Sequence, residues 1–574
     1  MKYITVNVNG TAVEVPEGTT ILEAARKVHV DIPTLCYHPD QRIKGNCRVC
    51  IVEVEGQRTF SAACCTPVWE GMNIKTNTKK VREARKTILE LILADHNCDC
   101  LTCVRNGNCE LQTLCEEHNI DTIPFDKVVE LLPIKDTNPS IVRDESKCIK
   151  CGRCVEACNE VQGIGAIYNI NRSCDVKIGT AYDKELKNVK CTYCGQCINV
   201  CPVGAIYEKS NVDDVWEALE DPNKHVVVQM APAVRVALGE EFGMEPGSIV
   251  TGKIVSFLRK VGFDKVFDTN FTADLTIIEE GNELLHRINT GGKLPMITSC
   301  SPGWIRFIEY FYPELLDHLS TCKSPQQMFG ALAKTYYAEK FNIESKDVVV
   351  VSIMPCTAKK AEAVRDEMDD SGYRDVDFVI TTRELAKLVK QSRINIASLE
   401  EEEFDAPFGI TTGAGAIFGA TGGVMEAALR TVYEVVTGEE LEDIDFKGLR
   451  GIDGFKESTV KVGEVDVKVA VVNGLKNARM ILEMIKEGKA DYHFIEVMCC
   501  PGGCIGGGGQ PRGTNATKEK RIEAIYKVDI QSQIRKSHEN PVVNTLYEEF
   551  LIKPLGHKSH ELLHTHYKDR SNVD

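Results

Sequence analysis

The chain has no uncharged apolar run of about 18 residues or more, the length a helix needs to span a bilayer. Its first residues, Met1-Lys2-Tyr3-Ile4-Thr5-Val6, lack the apolar core of an export signal. These absences predict a cytoplasmic protein without membrane spans. Positive charge is also in deficit: 68 Lys+Arg against 84 Asp+Glu leave a net charge of -16. That balance argues against nucleic acid or an anionic membrane as the main partner and allows at most locally basic docking spots. Nucleotide fingerprints are missing too. The glycine-rich stretch from Gly413 to Gly423 follows no strand-like run and lacks the spacing of a dinucleotide or phosphate loop, which leaves close backbone packing as its expected role.

Cysteine is in excess, with 25 in 574 residues. Without an export signal, so many thiols read as metal ligands rather than disulfides. A chain of this length divides into about three to five domains, and we place them at 1–78, 79–136, 137–210 and 211–574.

In the first, Ile4, Val6 and Val8 precede Asn9-Gly10 and Val13 and Val15 follow it, the pattern of a β-hairpin with a two-residue turn. Thr20-Ile21-Leu22-Glu23 reads as a capping box opening a helix through Val28. Cys36, Cys47, Cys50 and Cys64 come next, with a strand expected from Ile51 to Val54. This predicts a β-grasp ferredoxin domain holding a [2Fe–2S] cluster. The cysteine spacing resembles that of plant-type ferredoxins loosely, and that of the variant in complex I and hydrogenases closely. Cys65 competes as fourth ligand, and Thr66-Pro67, matched to that family, favours Cys64.

An amphipathic helix is expected from Val81 to Ala94, with Ile88, Leu89, Leu91 and Ile92 on its apolar side. It leads into His96, Cys100, Cys103 and Cys109. One imidazole with three thiolates suits a [4Fe–4S] cluster, because a neutral nitrogen ligand lowers the site's negative charge and raises its potential. Zinc takes the same set, but neighbouring clusters favour iron. The pattern resembles one found in hydrogenases and in the large iron–sulfur subunit of complex I. Cys98 and Cys115 read as ordinary thiols.

Cys148, Cys151, Cys154 and Cys158, and then Cys191, Cys194, Cys197 and Cys201, repeat the run of a bacterial two-cluster ferredoxin. In that run the fourth cysteine crosses over. Cys201 is thus expected to complete the first [4Fe–4S] cluster and Cys158 the second. One such spacing would arise by chance ~0.002 times per chain at this cysteine frequency, and here it occurs twice. Cys174, between the runs, is expected to be incidental. Together these four clusters form a wire of one-electron carriers, with a potential of roughly −400 mV for the plant type. Ferredoxin, NADH-derived electrons and protons suit such a wire.

Beyond Pro202 the pattern changes. Helical stretches (Val215 to Leu219, Leu332 to Phe341, Leu385 to Val389) alternate with β-rich runs at His225 to Val228 and Asp347 to Val351. The alternation predicts a large domain of α/β lobes with parallel sheets and binding loops at the strand ends. Met230-Ala231-Pro232 and Met354-Pro355-Cys356 sit where such loops would start.

Three stretches organise this half: Thr298-Ser299-Cys300-Ser301-Pro302-Gly303-Trp304, Met354-Pro355-Cys356-Thr357-Ala358-Lys359-Lys360, and the segment from Glu496 through Cys499, Cys500 and Cys504 to Gly509. Thiols far apart in sequence and flanked by Pro and Gly predict loops meeting at one iron–sulfur site. In order and spacing these stretches resemble the three signature motifs of iron-only ([FeFe]) hydrogenases. The resemblance extends over nearly the whole chain, through Arg535-Lys536-Ser537-His538-Glu539-Asn540-Pro541. It implies reversible interconversion of H2 and protons at an H-cluster, a [4Fe–4S] cube bridged by one thiolate to a diiron unit with CO, CN and dithiolate ligands. It also implies that Cys356, Cys500 and Cys504 hold the cube, with Cys504 as the bridge, and that Lys359 hydrogen-bonds a cyanide. Pro232, Gln326, Met354, Phe418 and Met498 match other pocket residues. Glu280, Glu283 and Ser320 match a proton relay to Cys300. Glu280 and Glu283 lie three apart on one expected helix face, which without the resemblance would read as solvated acid.

The sequence departs from the family where two adjacent cysteines are usual: here Cys300 is followed by Ser301. Strict carry-over makes Cys300 the proton donor and Ser301 the fourth cube ligand, although serine is harder and far less acidic than a thiol. Ligation by Cys300 after a loop shift, or by a nearby thiol such as Cys499 or Cys322, stays open. Within the family the arrangement resembles the catalytic subunit of NAD-linked, often electron-bifurcating, anaerobic complexes. That implies ferredoxin, a flavin/NAD-binding subunit and a small [2Fe–2S] subunit as partners. Two other readings compete, a complex-I-like electron-transfer subunit and a non-catalytic iron–sulfur relative acting in sensing or assembly; Ser301 favours the latter.

Overall fold

The computed structural model describes residues 2–441, 443–463 and 465–572; the side chain of Cys174 lies outside the described residues. The N-terminal alternation forms strands Tyr3–Val8 and Thr11–Pro16, paired antiparallel around Asn9-Gly10. Both turn residues have positive φ, 51° and 93°, as a twist-matched two-residue turn requires. The capping box closes in both directions: Glu23 N donates to Thr20 Oγ1 at 3.2 Å and Thr20 N to Glu23 Oε2 at 3.0 Å. Strands Asn73–Lys75, Ile51–Val54 and Ser61–Ala62 complete a five-stranded mixed sheet beside the hairpin.

The next helix differs from expectation. It runs Lys79–Ala94, capped by Thr78, and its buried residues include Val81, Arg85, Leu89 and Ala94. Leu91 is 51% exposed. Val81, Arg85 and Leu89 recur every four residues and form the inward stripe. The arginine is acceptable there because its guanidinium donates to the Ile51 carbonyl at 2.8 Å. Strands Ile141–Arg143 and Ile206–Glu208 then pair antiparallel and draw together the two ends of the segment holding the cysteine repeat.

The second half is built on two four-stranded sheets. In one, Lys265–Asp268, His225–Met230, Val348–Met354 and Phe378–Thr381 are neighbours in that order, all parallel. Covered on both faces, His225–Met230 and Val348–Met354 are almost wholly buried, which accounts for their unbroken valine runs. In the other, Met296–Ile297, Phe494–Met498 and Val465–Asn473 are parallel, but Phe455–Val462 joins antiparallel at the edge. Its short connection to Val465 permits only a hairpin, so the expectation of purely parallel sheets fails there. The anticipated helices form as Val212–Glu220, as Thr382–Ser392, and as Pro325–Leu332 continuing through a π-helical turn into Ala338–Phe341. The glycine-rich stretch is a short helix, Gly413–Ile417, and the start of a longer one, Gly423–Thr437. A Cβ on Gly415 would come 2.6 Å from the Asn270 carbonyl oxygen, so glycine here does serve close packing. No helix among the described residues is long and apolar enough to cross a membrane.

Both sheets aim their carboxyl ends at one place. Residues just beyond Met230, Asp268, Ile297, Met354 and Met498 all reach a single cavity, as expected where parallel strands end.

Candidate active site and its thiol-lined approach

The cysteines gather in sets. Cys36 stands within hydrogen-bonding reach of Cys47 and Cys64, and Cys64 of Cys50, and Cys47 N donates to Cys36 Sγ at 3.5 Å. Cys65 is exposed and its sulfur turns to the Ala62 carbonyl, so geometry groups Cys64, not Cys65, with the other three. His96 is buried, and burial holds its imidazole in the neutral form. Its Nδ1 is buried without a partner, an orphan that a metal would satisfy. Cys100, Cys103 and Cys109 lie close enough to feel one another's charge. Cys98 donates to the Leu93 and His96 carbonyls, and burial pushes the Cys115 thiol up to about 12, with Cys98, Cys109 and Cys100 close enough to add to the effect.

The repeat closes by exchange. Cys148, Cys151 and Cys154 share an enclosed pocket with Cys201, while Cys158 shares another with Cys191, Cys194 and Cys197. Burial pushes Cys151 and Cys191 up to about 12. A multiply charged metal centre would offset that burial by favouring the thiolate form. The donor sets fit iron–sulfur clusters.

The cavity where the three loops meet, of about 80 Å³, is lined by Cys300, Ser301, Cys356, Cys500 and Cys504, with Cys499 beside them. Pro232, Gln326, Met354, Lys359, Phe418 and Met498 line the same space. A Cβ on Gly507 would fall 2.2 Å from the Pro355 carbonyl oxygen, so the third loop can lie against the second only as glycine. Burial raises the Cys356 thiol, and Cys504 to about 12. Lys359 Nζ donates to the Cys300 carbonyl at 3.2 Å and to Glu362 Oε2 at 2.8 Å. Gln326 Nε2 also meets Glu362, leaving its Oε1 buried and unpartnered at the cavity. A dry pocket with a cation, amide groups and clustered thiols suits an anionic iron centre.

The expected relay residues lie behind Cys300. Glu280 and Glu283 are 3% and 7% exposed, which excludes a solvated acidic face. Burial pushes Glu280 up to about 8, with the Glu283 charge adding to the effect. Ser320 Oγ donates to Glu283 Oε2 at 3.1 Å, and Glu283 Oε1 pairs with Arg287 at 2.6 Å. Cys322 sits behind this line, 4.0 Å from Glu283 and away from the cavity lining. Sequence reasoning missed Arg287, although a basic residue four positions after Glu283 was a readable signal. It also missed Glu362, three residues after Lys359. Thr321, which donates to Glu283 and meets His564 at 2.7 Å, left no local signal.

Comparison with known proteins agrees with this geometry. The family described as iron only hydrogenase large subunit, C-terminal domain, matches residues 224–508, and iron hydrogenase small subunit matches 515–570. Ahead of them, a 2Fe-2S iron-sulfur cluster binding domain matches 1–79, the NADH-ubiquinone oxidoreductase-G iron-sulfur binding region 85–124, and the NADH-quinone oxidoreductase subunit 3 ferredoxin-like domain 138–207. The chain is 51% identical to the NADP-reducing hydrogenase subunit HndD of Solidesulfovibrio fructosivorans, covering 100% of both. It is 44% identical to iron hydrogenase 1 of Clostridium pasteurianum, over 98% of this chain and 100% of that one. A solved structure of the [FeFe]-hydrogenase HydA1 from Chlamydomonas reinhardtii, 46% identical, covers 63% of this chain and 99% of its own with a TM-score of 0.57. The molecule thus combines ferredoxin-like iron–sulfur domains with a catalytic domain of mixed α/β sheets. Full-length hydrogenase relatives displace the complex-I-like and non-catalytic readings. With the three cysteine loops meeting in one buried cavity, the chain belongs to the iron-only ([FeFe]) hydrogenases and is an enzyme of dihydrogen.

Proposed function

We propose that this chain is the catalytic subunit of an NAD(P)- and ferredoxin-linked, electron-bifurcating hydrogenase working anaerobically in the cytoplasm. Its partners would be ferredoxin, a flavin/NAD-binding subunit and a small [2Fe–2S] subunit. In this reading the domains lie at 1–78, 79–136, 137–210 and 211–574, the first a β-grasp domain with one [2Fe–2S] cluster. Three accessory [4Fe–4S] clusters follow, one on His96, Cys100, Cys103 and Cys109 and two on the crossed cysteine sets. Cys356, Cys500 and Cys504 hold the cube of the H-cluster. When bound, that centre would supply the redox chemistry by which dihydrogen is made or split.

The chain's own residues exclude water, hold the centre and move protons. Lys359 offers an N–H group to an anionic ligand, and the Gln326 carbonyl oxygen is left as an acceptor at the cavity. A proton reaching Glu283 beside Arg287 passes to the Ser320 hydroxyl, then to the Glu280 carboxyl and on to the Cys300 thiol. The observation that carries this reading is the buried Glu280 carboxyl between Ser320 and a thiol on the cavity wall. The same residue order runs in reverse for H2 oxidation.

Anaerobic expression with maturation factors tests it. The purified protein should show carbonyl and cyanide bands in the infrared and evolve H2 from reduced dye. Absence of those bands would remove the catalytic reading. Co-purifying subunits that oxidise NADH would support the complex, and a chain that neither binds such subunits nor exchanges electrons with ferredoxin would overturn it.

A further inference from the structure

The cavity wall carries five thiols and one serine where a [4Fe–4S] cube needs four sulfur ligands. Cys356, Cys500 and Cys504 supply three. The fourth position is contested by Cys300, Ser301 and Cys499, and their surroundings separate them. Cys300 lies among Glu280, Lys359 and Cys504, on the relay side of the cavity. Ser301 is engaged as an acceptor: its Oγ receives the Cys499 backbone N–H at 3.2 Å. Cys499 differs from both. Its sulfur lies within hydrogen-bonding reach of Cys500 on one side and of Cys194 on the other. It also fills the space beside the first loop, where a Cβ on Gly303 would come 2.6 Å from it. A side chain at 303 would therefore crowd the Cys499 thiol.

We propose that Cys499 supplies the fourth sulfur of the cube, while Ser301 positions it through its backbone N–H. The sulfur missing from the first loop is recovered from the third, one residue ahead of Cys500. A thiolate is the softer and more acidic ligand, and iron–sulfur centres favour it over serine. The same placement sets a cube ligand against Cys194 of the nearest ferredoxin set, so electrons would cross between the two clusters at this sulfur contact. The inference rests on the reading of the cavity as the seat of a four-iron cube.

The test uses the full chain made without maturation factors, so that only iron–sulfur clusters assemble. Iron content and the electron paramagnetic resonance of the reduced protein are compared with those of variants. Ser301→Ala should retain the cube signal. Cys499→Ala should lose it, with about four irons per chain, while the accessory-cluster signals persist as evidence of folding. Cys499→Ala combined with Ser301→Cys should regain it, because that pair restores a sulfur at the first loop. A Cys499→Ala protein that keeps the cube signal overturns the assignment, as does a Ser301→Ala protein that loses it. If the unaltered chain shows no cube signal, the reading of the cavity itself fails.

Discussion

A carboxyl removed from water holds its proton to higher pH, and Glu280 does so next to a thiol that needs one. Burial places its midpoint at about 8. Below that pH the group carries its proton; above it the proton is lost. If Glu280 feeds Cys300, H2 evolution should decline above about pH 8 by roughly tenfold per unit. Glu280→Gln keeps the shape but cannot release a proton through the same group. It should cut turnover by about 100-fold or more and flatten the alkaline limb, with the infrared bands of the matured centre unchanged. Full activity in that variant would remove Glu280 from the path. His96 offers a second test at this scale. If His96 ligates a cluster, its neutral imidazole leaves that cluster less negative than a fourth thiolate would, so His96→Cys should lower the cluster's reduction potential. A redox titration followed by electron paramagnetic resonance reads the shift, and an unchanged potential would mean His96 is not a ligand.

The helix Asn270–Thr290 links these residues to the fold. One face carries Glu280 and Glu283 toward the cavity loops, and Glu279 faces the C-terminal segment. There Glu279 accepts from Tyr547 Oη at 2.5 Å, Leu555 N at 2.9 Å and the Ser559 hydroxyl, and it meets His564 Nε2 at 3.2 Å. Burial acts against its charge, yet the hydrogen bonds from His564, Ser559 and Tyr547 prevail and hold the carboxyl below its ordinary range. A depressed carboxylate stabilises the fold above its unfolded pKa and loses that contribution as pH falls through the folded value. Glu279→Ala strands several buried donors at about 1–3 kcal/mol each, so a loss of about 3 kcal/mol or more is expected near neutral pH. Thermal unfolding should show that gap narrowing below about pH 4.3, and limited proteolysis should cut the C-terminal segment first. Elements of this kind were only partly legible in the sequence. The grouping of the repeated cysteines could be read because ligand geometry dictates such spacing, and strands such as Val348–Met354 because double-sided burial demands continuous valine. Leu91 was misassigned because the true inward stripe includes Arg85, whose partner at Ile51 is set by tertiary contact. Arg287 stood at a readable helical spacing. His564 and the sulfur neighbours of Cys499 depend on segments hundreds of residues apart, and no local pattern encodes such meetings.

At the scale of the whole molecule, the two front sites converge rather than forming a single file. Asn46, beside Cys47, donates to the Cys151 carbonyl at 3.3 Å, and Gln41 to the Arg153 carbonyl at 3.0 Å. The other site leans on the same unit: Asn97 N donates to Ser146 O at 2.9 Å and Glu110 N to Pro202 O at 3.1 Å, while a Cβ on Gly204 would come 2.6 Å from Cys103 Sγ. Both front sites therefore abut the set of Cys148, Cys151, Cys154 and Cys201, and the other ferredoxin set, through Cys194, reaches the cavity wall at Cys499. If clusters fill these sets as proposed, the input is branched, the two inlets are partly redundant and the junction is essential. Loss of the first cluster in Cys50→Ala should abolish transfer from a donor that docks there, yet leave transfer through the His96 site. Loss of the junction in Cys151→Ala should block both. Measured on matured protein with the same infrared signature, ferredoxin- and NADH-linked H2 evolution should fall selectively in the first variant and together in the second. Equal loss through both donors in Cys50→Ala would mean that the clusters act in strict series after all, and that the packing of the two front sites against one unit serves the fold alone.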